Sequence, residues 1–406
     1  MKAQTQAWFV CTLLLASMTM FMSKAEASGP INVIYALSGN PSFPLGSLVA
    51  DTAGNLYGTS LVTDGGRGCG TVFKLSPQSG GGWQFTVIHT FSGSGGCQPS
   101  GGLIIDASGN LYGTTSGSGA SGGGTVFVLQ PKGTGWIQRN LHNFGSGSTD
   151  VSAPSASLIM DAAGNLYGTG SGGGTSWPGC GGRGCGGVFK ISRSGSQFIE
   201  TVLYNFTGGS DGGQPADSLV FDDAGNLYGT TTLNSVFELS PSSGGEWNET
   251  TLYNFTNGAD GGRPYGGLVF DHAGNLYGTT QINGNNGFCN GVGCGTVFEL
   301  TPQGPGKWAF SVLFAFDGTN GGWPRSSLTL DSGGNLYGTG TFGGKNSQGV
   351  VFKLSQSNGT WTETFASFNF QDGGVPSGPL LLKNGFLFGT AEHGGKGNGV
   401  VFDIKL

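Results

Sequence analysis

The chain has 406 residues and a formal net charge of −6, with 83 Gly, 16 Pro, 36% hydrophobic, 11% aromatic and only 10% charged residues. An acidic, charge-poor chain lacks the clustered basic surface that nucleic-acid binding needs, and electrostatic docking on anionic lipid is excluded on the same ground. Glycine at this level would suggest disorder, but the apolar content is enough to build a core.

In chain order, the first element is an address. Residues 1–27 carry Lys2, an apolar stretch from Trp8 to Met22 and then Ala25-Glu26-Ala27. That is the layout of a secretory signal cleaved at small residues, here near Ala27. The apolar stretch is short for a membrane span, and no later segment is a candidate. A secreted, extracellular protein comprising residues 28–406 is expected.

The next element, Ile31 to Leu37, is a lone strand-like run. It precedes a tandem repeat, which decides the fold. The string GNLYGT begins at Gly54, Gly109, Gly164, Gly225, Gly274 and Gly334, and a degraded copy begins at Gly385, a period of about 55 residues. Each copy holds four short runs rich in β-branched and aromatic residues, bounded by Gly, Pro, Asn or Asp. Run a is exemplified by Gly267 to Phe270, run b is Asn-Leu-Tyr-Gly-Thr, run c by Gly295 to Leu300, and run d by Trp247 to Phe255. Such runs read as strands. The Asp-x-x-Gly-Asn link between a and b reads as a tight hairpin. Its aspartates are Asp51, Asp106, Asp161, Asp222, Asp271 and Asp331. Leu382 replaces the Asp in the last copy, so that hairpin is expected to be the loosest.

Four antiparallel strands repeated seven times predict an all-β, seven-bladed β-propeller. The last copy stops after run c at Leu406, whereas Ile31 to Leu37 matches a run d with no a, b or c before it. The N-terminal strand is therefore expected to complete the last blade, which removes the open edges of a linear array.

Of the seven cysteines, Cys11 lies in the leader, leaving six. An even number in an exported chain predicts disulfides. The shared spacing of Cys180/Cys185 and Cys289/Cys294 argues for two local bridges, which leaves Cys69 with Cys97. Zinc is the competing reading, but no His accompanies either close pair.

The succession D-x-A-G-N-L-Y-G-T, G-T-V-F-K/E-L and W-x-x-T-x-L-Y-N-F resembles the GloVer tandem-repeat (choice-of-anchor) proteins, a secreted bacterial β-propeller-like family. The resemblance spans the chain beyond the leader. It implies export and a repeat scaffold, and it brings no catalytic activity or catalytic residue. This chain departs from the anchored members in ending on a strand without a sorting tail, which leaves retention at the cell surface open.

In a propeller the b–c and d–a links share one face, and variable loops on a rigid scaffold are where ligands bind. The d–a links carry Asx-Gly-Gly-x-Pro. Asp211, Asp260, Asn320 and Asp372 begin that motif, Asn40 and Asp150 align with it, and Gly95 interrupts the series. These six side chains are expected near the mouth of the central channel, as a polar funnel for a sugar or for Ca²⁺. The plainer reading is that each caps its own turn, and recurrence in nearly every blade favours it. Residues that differ between copies are the better ligand contacts: Arg263, Tyr265, Trp323 and Arg325 beside the d–a prolines, and Trp177, Arg183 and Phe288 in long b–c loops. An aromatic face beside a charged donor suits a sugar ring or a peptide, while ordinary loop packing is the alternative.

Nucleophilic catalysis has little support. His89 and His142 occupy the strand position of Tyr204 and Tyr253, His272 lies in a hairpin, and His393 lies in the last b–c loop. Gly119-Ala-Ser121-Gly-Gly123 meets the G-x-S-x-G pattern without the strand–turn–helix context it requires. No catalytic set, metal site or cofactor is assigned. The expectation is a monomeric binding or scaffold protein for a polysaccharide, cell-surface component or protein, with no nucleic acid and no membrane span. The alternatives are a propeller-type glycan lyase or hydrolase using Asp211 and Asp260, and a purely structural matrix protein.

Overall fold

The computed structural model describes residues 30–39, 41–62, 68–145, 150–174, 178–284, 289–304 and 306–406. The expected leader, Asn40, Trp177 and Phe288 lie outside the described residues.

Seven antiparallel sheets follow one another in chain order, each built a-b-c-d. In blade 1 these strands are Val49–Ala50, Leu56–Ser60, Thr71–Pro77 and Trp83–Thr90. Blade 7 takes its a, b and c strands from Leu381–Lys383, Phe386–Ala391 and Val400–Lys405. Its outer strand is Asn32–Ala36 from the N-terminus, with Val33 opposite Phe402 and Tyr35 opposite Val401. The predicted closure is therefore the observed one. Among the described residues, no helix is long and apolar enough to cross a membrane.

The repeat motif can be explained letter by letter. Its first Gly takes positive φ in the a–b turn (86° at Gly54), where a side chain is strained. The Asn bonds back to the hairpin aspartate: Asp51 accepts from the backbone N–H of Asn55 at 2.9 Å and from its Nδ2 at 2.6 Å. The Leu is fully buried between blades. The Tyr hydroxyl donates to the same aspartate, at 3.0 Å from Tyr57 to Asp51. The Tyr57 ring also meets the edge of Trp136 in the next blade at 6.0 Å, a favourable aromatic geometry. The second Gly makes room for a core ring: a Cβ at Gly58 would lie 2.5 Å from Phe73 Cζ and 2.8 Å from Leu48 Cδ2.

The Thr links neighbouring blades. Thr59 donates to the Gly101 carbonyl, Thr114 to Ala156, Thr169 to Asp217, Thr230 to Gly266, Thr279 to Ser326, Thr339 to Gly378, and Thr390 back to Gly46, at 2.9–3.4 Å. Seven such bonds run around the ring and each crosses one blade boundary.

The last hairpin departs from expectation. It is the tightest rather than the loosest: Lys383 pairs directly with Phe386 across Asn384 and Gly385, both at positive φ. Asn-Gly is the favoured two-residue hairpin turn. It needs no capping aspartate, so Leu382 is free to pair with Leu387. All three disulfides form as expected, Cys69–Cys97, Cys180–Cys185 and Cys289–Cys294.

Candidate functional site

The d–a links deliver the chain to the axis. After each link proline, one residue stands at the rim and the next enters the channel wall ahead of strand a. The rim positions are Leu45, Ser100, Ser155, Ala216, Tyr265, Arg325 and Ser377, around a cavity of about 310 Å³. The wall beneath is crowded, which explains its small residues: a Cβ at Gly102 would sit 2.7 Å from Ser157 Oγ.

Leu45 apart, the rim is made of small residues except at Tyr265 and Arg325. Tyr265 is 39% exposed, and the Arg325 guanidinium lies over its ring at 6.0 Å. Gln281, largely buried, holds that guanidinium: with its amide turned so that the oxygen faces Arg325, the orientation that satisfies both groups, it accepts from Nε and Nη2 at 2.8 Å each. A guanidinium fixed on an aromatic face forms a cation–π pair. Ser155, Ala216 and Tyr265 also border a second groove of about 500 Å³ over blades 3 and 4, whose wall includes Arg183, Gln214 and Thr232. The two cavities are thus contiguous, and they join three of the sequence candidates: Tyr265, Arg325 and Arg183.

The Asx series lies elsewhere. Residues that follow the link prolines line the channel, and none of the five described Asx side chains does so. Each closes its own link instead. Asp211 accepts from Thr207 N at 2.7 Å, Thr207 Oγ1 at 2.5 Å and Tyr204 Oη at 3.0 Å. Asp260 accepts from Thr256 N, Thr256 Oγ1 and Tyr253 Oη at 2.6–3.1 Å. Asn320 Oδ1 accepts from Asp317 N at 3.0 Å, and Asp372 from Asn369 N at 2.6 Å. The Asx precedes the proline along the link, so it remains over the outer strands when the chain reaches the axis. Burial raises the Tyr253 hydroxyl to about 12, helped by its bond to Asp260.

Two further candidates have structural posts. Trp323 stacks on Phe342 at 4.9 Å, and its Nε1 donates to the Gly293 carbonyl at 3.2 Å. Arg263 takes positive φ, and its N–H donates to Asn234 Oδ1 at 2.8 Å.

The sequence reading passed over two features. Asp217 stands in the channel wall where other copies have Gly46, Gly101, Ala156, Gly266, Ser326 and Gly378. Its carboxylate reaches across blades, accepting from Gly267 N at 2.7 Å and Ser327 Oγ at 2.9 Å, as well as from Ser218 N at 2.7 Å. Burial raises its pKa in spite of those bonds. A charged residue at an otherwise small position was the available signal.

The second is the trio His142, Asp150 and Glu200, whose ligand atoms lie within 4.8 Å of one another. It is the one place among the described residues where three His, Cys or acidic side chains converge in this way. Burial, followed by the charge of Asp150, pushes Glu200 up to about 8. Burial lowers His142, against the charge of Asp150.

The profile of the Gloeobacter/Verrucomicrobia repeat family matches residues 43–238 and 232–406. No curated protein is similar to the chain in sequence. Among solved structures, the chain is similar to the extracellular domain of a candidate one-component system from B. thetaiotaomicron, at TM-score 0.55 and 12% identity over 94% of this chain. It covers 42% of that chain, less than half its length. A candidate oxidoreductase (glucose dehydrogenase) from Thermus thermophilus aligns at TM-score 0.44 and 13% identity, over 93% of this chain and 100% of that one.

Proposed function

Because the chain belongs to the Gloeobacter/Verrucomicrobia repeat family, we propose that this propeller is a repeat scaffold that serves as a binding protein of the extracellular space. Its ligand is a glycan, free or cell-attached, taken at the channel rim and the adjoining groove. One observation carries the reading: Arg325 lies on the exposed ring of Tyr265, the one cation and the one aromatic side chain on a rim otherwise made of Leu45 and small residues. A flat aromatic face beside a fixed multidentate donor matches the apolar face and hydroxyl edge of a sugar ring. The three disulfides support an oxidising compartment, and the leader expected over residues 1–27 would direct the chain there. Asp211 and Asp260, the acids a lyase or hydrolase would use, are committed to three and four hydrogen bonds in their own links, which favours binding over turnover.

The test is affinity electrophoresis of the purified protein through a panel of soluble polysaccharides, with a parallel assay for new reducing ends. Retardation by at least one polysaccharide without new ends is expected, and Tyr265→Ala and Arg325→Ala should each weaken it roughly tenfold, about 1.4 kcal/mol. Retardation that both variants retain in full would remove the rim as the site, and new reducing ends would make the protein an enzyme.

A further inference from the structure

Between neighbouring blades the outer strands meet at a fixed pair of positions. Tyr35 stacks on Phe85 of the next blade at 4.4 Å, and Tyr253 on Phe310 at 4.0 Å. Between blades 2 and 3 the corresponding pair is His142 and Glu200, with Nε2 3.4 Å from Oε2. The link aspartate changes partners there as well. Asp211 and Asp260 each accept a tyrosine hydroxyl, at 3.0 and 3.1 Å. Asp150 instead has an imidazole at the tyrosine position, and its described hydrogen bond is from Gly145 N at 2.5 Å.

The substitution leaves polar atoms without hydrogen bonds, Nε2 of His142 having only its 3.4 Å contact with Glu200 Oε2. His142 Nε2, Asp150 Oδ1 and Glu200 Oε1 are buried and make no hydrogen bond. Such atoms are costly unless something binds them. One imidazole nitrogen and two carboxylate oxygens form a common donor set for zinc and neighbouring divalent ions. Donors of a tetrahedral zinc site stand about 3.4 Å apart for bonds of about 2.1 Å, which is the His142–Glu200 separation.

We propose that His142, Asp150 and Glu200 form a transition-metal site between blades 2 and 3, with zinc as the ion of choice and the fourth position left to solvent. The imidazole excludes calcium as the preferred ion, because calcium takes oxygen donors. Bound there, the ion neutralises two adjacent carboxylates and ties the outer strands of two blades to the link between them. A proton shared by the two carboxylates is the rival occupant. This inference stands apart from the glycan reading, since none of the three residues lines the rim or the groove.

The experiment is calorimetric titration of tag-free, chelator-treated protein with Zn²⁺, followed by melting with and without the ion. The variants borrow residues from other blades: His142→Tyr takes the side chain of Tyr204, and Glu200→Gln that of Gln138 at the matching strand position. Both should fold in chelator. The expected result is one equivalent of zinc on the native protein and a melting temperature raised by zinc, with affinity reduced tenfold or more in each variant, as loss of a ligand demands. Calcium should not displace the zinc. No zinc uptake would leave the proton as the occupant and overturn the proposal, and so would uptake that neither substitution weakens.

Discussion

Thr390 Oγ1 of the last blade donates to the carbonyl of Gly46 in the first at 3.3 Å, the same bond that every other blade makes to its successor. The ring is thus sealed at two radii: this bond near the axis, and the Asn32–Ala36 strand at the outer edge of blade 7.

The inner seal is testable. Thr390→Val keeps the shape of the side chain and leaves a buried carbonyl without its donor, which costs about 1–3 kcal/mol. Thr59→Val should cost a similar amount, because Thr59 makes the equivalent bond to Gly101 at 3.0 Å. Urea denaturation measures both. A seam weaker than the other boundaries would show as a markedly smaller loss at Thr390.

Gly58→Ala introduces a methyl group against Phe73 Cζ and Leu48 Cδ2. Overpacking of this kind costs about 1–3 kcal/mol. Combining it with Phe73→Leu should recover part of the loss, because the clash is with the distal ring atom. If the double variant is no more stable than the sum of the single effects, the ring is not the obstacle.

Acid should weaken the fold through the hairpins. At Asp51, Asp106, Asp161, Asp271 and Asp331 burial opposes ionisation, but bonds from the motif Asn and Tyr outweigh it and hold each carboxyl below its ordinary value. A depressed folded pKa means that the unfolded chain binds protons first. Stability from these groups is therefore complete above the ordinary carboxylate range and is lost as pH falls through the folded values. The urea midpoint should drop from pH 5 to pH 3, and Asp51→Asn with Asp106→Asn should flatten that drop.

Asp217 acts in the opposite sense. Its folded pKa is raised, so its contribution is present at low pH and is lost as pH rises through the folded value. Asp217→Ser, the residue type of Ser326, should flatten the decline on the alkaline side. An unchanged profile would show that the three hydrogen bonds keep the carboxylate fully ionised.

Reduction should act unequally. Cys69–Cys97 closes a sequence separation of 28 residues, against 5 for each of the other bridges. Chain entropy assigns about 3.5 kcal/mol to the long loop and about 2 to each short one. Cys69→Ser with Cys97→Ser should therefore lower stability more than either short pair, as read by denaturation under oxidising conditions.

The circular architecture and the shared last blade were legible because repetition fixes topology, and the two incomplete ends point to each other. The rim pair Tyr265 and Arg325 was legible as a departure between copies. The radius at which a link residue sits was not: repetition assigns Asp211 and Asp260 to a face, but only the path through Gly-Gly-x-Pro decides that they stop short of the axis. The trio at blades 2 and 3 was hidden for another reason. His142, Asp150 and Glu200 are each unremarkable in their own copy, and their chemistry arises from the packing of one copy on the next.

The outer strand of blade 7 also has a temporal meaning. Residues 32–36 are made long before the strand they pair with, which exists only once 400–405 have been added. Six blades can assemble while the chain is still emerging, but the circle cannot be latched before residues 400–405 have emerged. A chain cut short before Val400 has no place to put its own beginning, and the vacant edge would mark it as unfinished.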